Sequence, residues 1–303
     1  MRTCIIVNPN AGSVEDMAEL QRRLLRLPET GVRFTDHEGH AEEIARAAVR
    51  DGVERVVAAG GDGTLNEVVN GLAEGFGRVR LGLLPLGTGN DFARSINVPA
   101  DLEGALAVLE EGRAKPLDVA VVTFAGRTRY FINMAAGGFG GEVSEKAAEA
   151  KERWGPLAYM RAALGALGEI QGFETTLTLN NAETLDLDTY NVVLSNGRYV
   201  AAGIPAAPQA VLDDGLLEVM IVPATTVPQI AMLVPTVLLG LHTGSDLLLF
   251  RKATRVEIES DPPMAWNVDG EVIGEGPARF EVLPRALEVV VGPDEEEPRK
   301  EPG

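Results

Sequence analysis

Short apolar runs alternate with helical periodicity through the first half of the chain. Runs rich in Val, Ile and Leu predict strands at Arg2–Val7, Val32–Thr35, Arg55–Ala59, Leu81–Leu86 and Leu117–Phe124. Apolar residues at three- and four-residue steps predict core-facing helices at Val14–Leu27, Ala41–Arg50, Leu65–Ala73 and Leu102–Leu109. This alternation predicts a largely parallel sheet with both faces covered. Such sheets bind ligands at the carboxyl ends of their strands.

The pattern changes after about Asp118. A predicted helical region, Glu142–Glu169, precedes short apolar runs separated by turn residues, which are typical of a β-sandwich or partly closed barrel. These predicted strands are Thr175–Leu179, Tyr190–Leu194, Leu217–Val222, Arg255–Glu259 and Arg279–Leu283. We therefore predict an α/β domain over residues 1–119 and a β-rich domain over 120–283, with 284–303 free to return to the first. The charged end of that segment, 294–303, is predicted to be a disordered tail.

Composition and charge narrow the class of protein. The chain has 303 residues, of which 45% are hydrophobic, as in globular proteins. Its formal net charge of −18 repels phosphate backbones, and no basic stripe offsets it, so nucleic acid is not an expected partner. The apolar stretch Ala231–Leu241 is interrupted by Pro235 and is too short to cross a bilayer. Because no cleavable signal is evident either, we expect a cytoplasmic protein.

Cysteine and histidine usage gives no sign of a disulfide or zinc framework. Cys4 is the single cysteine and is predicted to pack within a strand. The three histidines, His37, His40 and His242, do not have the spacing of a zinc site. Both observations fit a reducing compartment.

A Gly-rich loop, Gly60–Thr64 (GGDGT), follows the strand Arg55–Ala59, and Leu65 is predicted to open a helix. Its glycines allow positive φ and let backbone N–H groups turn toward a ligand, while the helix N-terminus adds partial positive charge. This composition predicts a phosphate cradle. Asp62 is placed to hold magnesium on nucleotide phosphates, and Thr64 to cap the helix or bond a phosphate oxygen. A tight turn without a ligand is the alternative.

Two further loops end strands. The loop Leu84–Asp91 (LPLGTGND) offers Thr88, Asn90 and Asp91 as hydrogen-bond donors and acceptors for a ligand. In the alternative interpretation, Asp91 only caps the helix that follows. Asn8–Gly12 (NPNAG) ends the first strand. Adjacent parallel strands would bring these loops and GGDGT to one rim. The sequence has no Walker loop, which disfavours a P-loop protein. It also has no acid in the position that binds a ribose diol, which disfavours a Rossmann dinucleotide site.

Together these loops resemble the diacylglycerol kinase catalytic domain of soluble bacterial lipid kinases, a family related to sphingosine kinases and more distantly to NAD kinases and phosphofructokinases. NPNAG, GGDGT and LPLGTGNDFA stand in the family's order and spacing, and the likeness covers nearly the whole chain. Ala11 stands where the family usually has Ser, which removes one hydroxyl contact. The resemblance implies an N-terminal α/β domain like that of NAD kinase and phosphofructokinase, a C-terminal β-sandwich-rich domain, and ATP and Mg²⁺ as cofactors.

The resemblance also implies an ATP site on the first three loops. The ATP-binding residues that it implies are Asn8, Thr35, Gly60, Gly61, Asp62, Gly63, Thr64, Leu65, Asn66 and Thr88. Asp62 is in addition implied to act in catalysis, through magnesium.

Two segments of the second half match the family as well. Val211–Leu216 (VLDDGL) is similar to a loop that holds a structural magnesium, which implies the Asp214 side chain and the carbonyls of Val211 and Leu216 as ligands. Two acids before a glycine are otherwise an ordinary turn. Asn267–Glu271 (NVDGE) is similar to the segment whose last residue is the general base, which implies that role for Glu271.

For NVDGE the alternative is a type I′ hairpin turn at Asp269 and Gly270 with an exposed Glu beside it. The spacing alone favours that turn. The catalytic role of Glu271 therefore rests on the resemblance.

The resulting hypothesis is a kinase that transfers the γ-phosphate of ATP to a lipid hydroxyl, with diacylglycerol as first choice. Phosphatidylglycerol, a sphingoid base and a polyprenol are alternative acceptors. An NAD kinase and an inactive nucleotide-binding regulator are alternative functions. The DFA stretch after the second loop and the DDG turn favour the lipid branch, and Glu271 argues against lost catalysis.

The lipid partner has the weakest signature. Leu157–Ile170 and Val227–Leu241 are apolar on more than one face, which suits an acyl groove or transient contact with a membrane surface, and equally suits core helices. Few Lys or Arg flank them, so hydrophobic contact would have to dominate. A homodimer is left open.

Overall fold

The computed structural model describes residues 1–12, 17–24, 29–138 and 171–293. Its α-helices are α1 Met17–Leu24, α2 His40–Arg50, α3 Asp62–Gly71, α4 Asp91–Ser95, α5 Leu102–Glu111 and α6 Val227–Leu238. Two 3₁₀ turns lie at Ala73–Gly75 and His242–Gly244. The strands are β1 Thr3–Val7, β2 Thr30–Phe34, β3 Arg55–Gly60, β4 Arg80–Pro85, β5 Arg113–Phe124, β6 Arg127–Phe131, β7 Met134–Gly138, β8 Phe173–Leu179, β9 Glu183–Ser195, β10 Leu217–Pro223, β11 Leu249–Ala253, β12 Arg255–Asp261, β13 Ala265–Val268, β14 Glu271–Glu275 and β15 Ala278–Val291.

The parallel sheet predicted for the first half is confirmed. Strands β2, β1, β3 and β4 lie side by side and parallel, and the last part of β15 extends them by pairing parallel with β4. All five residues of β1 are buried, as expected of a central strand covered on both faces. Cys4 is among them, which confirms it as a packed strand residue. The carboxyl ends of β1, β3 and β4 therefore lie at one edge.

Strand β5 departs from the parallel pattern. The predicted strand Leu117–Phe124 lies within it, yet β5 pairs antiparallel with β15 on one side and β6 on the other. The pairing with β6 follows from the turn between the two strands, where Ala125 and Gly126 have φ of 47° and 74°. A two-residue turn of this kind makes a hairpin, whereas a parallel neighbour would need a crossover helix.

The second half is β-rich, as predicted, and its hydrogen bonding is continuous with the first sheet. Strand β15 pairs antiparallel with β12 near its start and parallel with β4 near its end. Leu117 and Val119 of β5 belong to the core beneath the parallel strands, whereas Ala120 and Val122 belong to the core of the antiparallel half. The domain limits at residues 119 and 283 stay predictions, because β5 and β15 each contribute residues to both cores.

Helix α6 packs against a third, small cluster. Ile230 and Leu233 are buried there against Val193 and Met220, whereas Met232 is 68% exposed. The predicted helical regions Glu142–Glu169 and Leu157–Ile170, the predicted tail 294–303 and both ends of the predicted helix Val14–Leu27 lie outside the described residues.

Candidate active site

The three loops predicted to converge do meet at the carboxyl edge of the parallel strands. The Asn8 side chain donates a hydrogen bond from Nδ2 to Thr64 Oγ1 at 3.1 Å, which joins the first loop to GGDGT. A Cβ placed on Gly12 would lie 4.0 Å from Thr88 Oγ1, so the first loop also adjoins the Thr88 loop. These contacts put a helix N-terminus and several polar side chains on one rim.

The glycines of the rim are needed because two loops pack closely there. The sequence had suggested a different reason, positive φ. Gly60, Gly61 and Gly63 are absent from the described glycines with positive φ, so that expectation is wrong. A Cβ on Gly60 would lie 2.5 Å from Thr64 Oγ1, and one on Gly87 would overlap the backbone of Gly61. The two strand-end loops therefore need glycine in order to touch.

Gly63 is different, because a Cβ there would meet no atom of the described residues within 4 Å. The residue is exposed on the first turn of α3. The space beside it is open for a ligand.

Helix α3 begins at Asp62, three residues before the predicted start at Leu65. Gly61 is its N-cap in extended conformation and supplies no side-chain cap. The first N–H groups of a helix have no partner within it, and with the helix dipole they attract anions. The GGDGT segment is thus the N-terminus of a helix, which is a stronger anion site than a loop ahead of one.

Asp62 joins this N-terminus to the next loop. Its Oδ1 accepts a hydrogen bond at 2.8 Å from the N–H of Asp91, the first residue of α4, and Gly89 packs close to its Oδ2. The alternative in which Asp91 caps its own helix is wrong, because the cap position is Asn90, in left-handed conformation. The Asp91 carboxylate instead accepts from the N–H groups of Ala202 and Gly203, at 3.1 and 2.7 Å. Asp62 and Asp91 together link three separate loops.

The remaining predicted nucleotide residues differ in accessibility. Thr35 is buried at the end of β2, where its N–H donates to Val7 O at 2.9 Å. Thr88 is exposed on the rim. Leu65 and Asn66 are buried, and the Asn66 side chain turns to the β13–β14 hairpin, where its Nδ2 donates to Asp269 Oδ2 at 3.1 Å. The buried side chains of these two residues hold α3 in place, and their assignment to the nucleotide site stays a prediction.

Asp269 organises the hairpin, a role that the sequence did not reveal. Asp269 and Gly270 have φ of 46° and 93°, as the predicted type I′ turn requires. The Asp269 carboxylate accepts four hydrogen bonds, from Asn66 Nδ2 and from three successive N–H groups, those of Ile132, Asn133 and Met134. Burial raises the pKa of Asp269 to about 6, against the opposing effect of these donors. No local signal could have predicted an Asn66 partner 203 residues away.

Glu271 is the first residue of β14, directly after this turn. Its side chain is 52% exposed, and its Oε2 accepts a hydrogen bond from Arg129 of β6 at 2.5 Å. Arg129 also donates to Asn66 Oδ1 at 3.4 Å. Glu271 therefore lies at the flank of α3, the helix whose N-terminus forms the rim.

The DDG loop contacts a different set of residues from the rim. The Asp214 Oδ1 accepts from Leu216 N at 3.0 Å, its Oδ2 lies 3.7 Å from Lys252 Nζ, and Val211 is 39% exposed. Beneath the loop the buried Asp118 accepts from the N–H groups of Gly215 and Arg285, both at 2.7 Å.

Burial raises the pKa of Asp118, and the negative charges of Asp214 and Asp213 raise it further. Hard oxygens in a concentration of negative charge suit a divalent cation such as Mg²⁺. The Asp214 carboxylate therefore fits the magnesium that the resemblance implies, and the Val211 and Leu216 carbonyls stay predicted ligands.

One group of acid and histidine side chains lies close together between β2 and the start of α2. Asp36, His37 and His40 offer three ligand atoms within 4.8 Å of one another, and the two imidazoles stack at 4.6 Å. These residues lie within one short segment, so they do not form the two separated ligand pairs of a zinc-finger type site. His242 does not belong to this group. Its side chain is fully buried, and its Nε2 lies 2.9 Å from Ala206 O.

Within the described segments, no helix is both long enough and apolar enough to span a membrane.

Comparison with known proteins identifies the class. Residues 2–122 match the diacylglycerol kinase catalytic domain, and residues 133–291 match the YegS C-terminal NAD kinase beta sandwich-like domain. Together the two matches cover most of the chain and place it in a family of kinases. The chain belongs to the diacylglycerol kinase catalytic domain family.

Individual relatives agree. A diacylglycerol kinase of Staphylococcus aureus strain MRSA252 is 34% identical over 294 residues, which cover 95% of this chain and 91% of the relative. The crystal structure of a protein from Bacillus anthracis strain Sterne superposes on this chain with a TM-score of 0.80 at 25% identity. The superposition covers 96% of this chain and 98% of that one. A diacylglycerol kinase structure from the same strain has a TM-score of 0.74 at 23% identity, with 96% and 97% covered, and shows the shared fold.

Proposed function

We propose that the protein is an ATP-dependent, magnesium-requiring lipid kinase that phosphorylates diacylglycerol to phosphatidic acid. One observation carries the proposal: α3 serves both halves of the site. Its N-terminus forms the glycine-lined rim, and four residues later Asn66 binds Asp269, which places Glu271 at the flank of the same helix. The name of the Staphylococcus aureus relative, a diacylglycerol kinase, supports the choice of diacylglycerol.

ATP is proposed to lie with its phosphates at the N-terminus of α3. Gly61, Gly63 and Thr64 would surround them, while Asn8 orients Thr64 through their 3.1 Å hydrogen bond. Thr35 and Thr88 would line the same cleft, and Gly60, Leu65 and Asn66 would act by packing. Backbone donors and a helix dipole stabilise transferring phosphates without any covalent chemistry by the protein.

Magnesium is proposed at two places. At the rim, Asp62 would hold the ion that neutralises charge on the phosphates during transfer. At the DDG loop, the Asp214 carboxylate and the Val211 and Leu216 carbonyls would hold a structural ion.

Glu271 is proposed as the general base. The hydroxyl oxygen of the lipid attacks the γ-phosphorus, the bond from that phosphorus to the bridging oxygen of ADP breaks, and the hydroxyl proton passes to the Glu271 carboxylate. A half-exposed carboxylate at the start of a strand is accessible to an incoming alcohol.

Transient contact with a membrane surface is proposed to bring the lipid to the site. Residues 224–245 contain no Asp, Glu, Lys or Arg, and within this stretch Val227, Met232, Leu239 and Leu241 are exposed. The cluster that α6 covers includes Met134, whose N–H binds Asp269. An uncharged surface suits hydrophobic contact, because the net charge of −18 opposes attraction to anionic lipid.

The proposal is tested by phosphate transfer from radiolabelled ATP to lipid alcohols in mixed micelles, with NAD in parallel. We expect phosphatidic acid from diacylglycerol, and a loss of kcat of at least about 100-fold in Glu271→Gln. Glu275→Gln, at the other end of β14, is the matched control and should retain activity. Transfer to NAD alone, or full activity in Glu271→Gln, would reject the substrate or the base respectively.

A further inference from the structure

Arg129 occupies the junction of the proposed site. It lies on β6, and its side chain is 26% exposed. Its NH1 donates to Glu42 Oε2 of α2 at 2.8 Å, and its NH2 donates to Glu271 Oε2 at 2.5 Å. A longer contact joins NH2 to Asn66 Oδ1 of α3 at 3.4 Å. One guanidinium thus connects two helices with the strand that carries the proposed base.

The two carboxylates that Arg129 binds differ in exposure and in the number of their ion-pair partners. Glu42 is 21% exposed and also pairs with Arg46 one turn along α2, so it is held from two sides. Glu271 is 52% exposed, and Arg129 is its ion-pair partner within the described part of the chain. Glu42 is therefore the fixed end of the bridge, and Glu271 is the end that Arg129 restrains.

The chemistry of guanidinium suits this task. Its planar fork fixes the direction of each N–H donor, so it orients a carboxylate more strictly than an ammonium does. Although burial opposes it, pairing with Glu271 and Glu42 raises the pKa of Arg129, so the side chain stays charged. A base that must meet a hydroxyl in line with a phosphate gains rate from such orientation.

We infer that Arg129, anchored by Glu42, is a positioning residue that sets the orientation of Glu271. The inference rests on the proposed function, since it takes Glu271 as the base. A positioning residue acts through that base, so its removal should lower kcat, leave the KM values for ATP and lipid nearly unchanged, and have no effect once the base is gone.

The test is a double-mutant cycle on phosphate transfer. Arg129→Gln should lower kcat about 10- to 100-fold with both KM values within about threefold of wild type. Arg129→Lys should recover part of the loss, and Glu42→Gln should cause a smaller loss in the same direction. In the Glu271→Gln background, Arg129→Gln should cause no further loss. Arg127→Gln, on the same strand and exposed, is the control and should match wild type.

Each other outcome has a defined meaning. Additive losses of kcat, or a large rise in the KM for ATP in Arg129→Gln, would overturn the inference, because Arg129 would then act on the phosphates and not through Glu271. Full activity in both Arg129→Gln and Arg129→Lys would overturn it as well. Full activity in Glu271→Gln would instead reject the proposed base, so the two failures are distinguishable.

Discussion

The two Asp-Gly turns of the β-rich half look alike in sequence and differ in structure. Gly215 and Gly270 both have positive φ, at 74° and 93°. The Asp269 carboxylate is enclosed by four donors, one from α3 and three from the segment that leads into β7. Asp214 binds its own turn and lies 3.7 Å from the ammonium of Lys252. The Asp269 turn therefore joins two halves of the molecule. The Asp214 turn is exposed and covers the buried Asp118.

The difference shows that the role of an Asp-Gly turn depends on what the fold brings to it. A turn residue whose side chain satisfies three consecutive backbone N–H groups becomes part of the core framework. A turn residue that bonds its own backbone remains replaceable, unless a cation is held there.

The largest expected effect is that of Asp269→Ala. Removing the carboxylate leaves four donors without their acceptor, so the free energy of unfolding should fall by about 3 kcal/mol, and phosphate transfer should be almost lost. Urea unfolding measures the first quantity. Asp269→Asn keeps the shape and part of the hydrogen bonding, so it should lose less. A loss below about 1 kcal/mol in Asp269→Ala would place the two turns in the same class.

Stability should depend on pH through the same residue. Because burial raises the pKa of Asp269 to about 6 in the folded protein, from 3.8, its contribution to stability is fully present below the lower value and is lost as pH rises through the higher one. Relative to Asp269→Asn, the free energy of unfolding of the wild type should fall by about 2 kcal/mol between pH 4 and pH 7.5. Chemical unfolding at several pH values measures it. A difference that stays constant with pH would contradict the enclosure of this carboxylate.

The smallest effect is expected at the DDG turn. Asp214→Ala should lower the free energy of unfolding by about 1 kcal/mol in the presence of magnesium, and by less without it, because the cation stabilises only the folded state. Thermal unfolding with and without Mg²⁺ checks this. Asp246→Ala, which removes an exposed carboxylate outside this loop, is the control. Equal magnesium dependence in wild type and Asp214→Ala would make this loop an ordinary turn.

Much of the fold and part of the site could be predicted from the sequence. Strand and helix alternation predicted the parallel sheet, and the rule that strand ends meet predicted the contact between the Asn8 and Thr64 loops. Sequence alone could not show whether Gly60 and Gly61 provide positive φ or close approach, because both uses leave the same residue. It also missed Asp269 with Asn66, and Arg129 with Glu42 and Glu271, because those partners are far apart along the chain.

The central claim is that the N-terminus of α3 holds nucleotide phosphates, and Gly63 tests it most directly. Calorimetric titration of a non-hydrolysable ATP analogue with Mg²⁺ compares wild type with Gly63→Ala. A methyl group there meets no described atom within 4 Å and favours helix, so the melting temperature should stay the same or rise. We predict nucleotide binding weaker by at least about tenfold, which is about 1.4 kcal/mol. Unchanged nucleotide affinity in a normally folded variant would contradict the account.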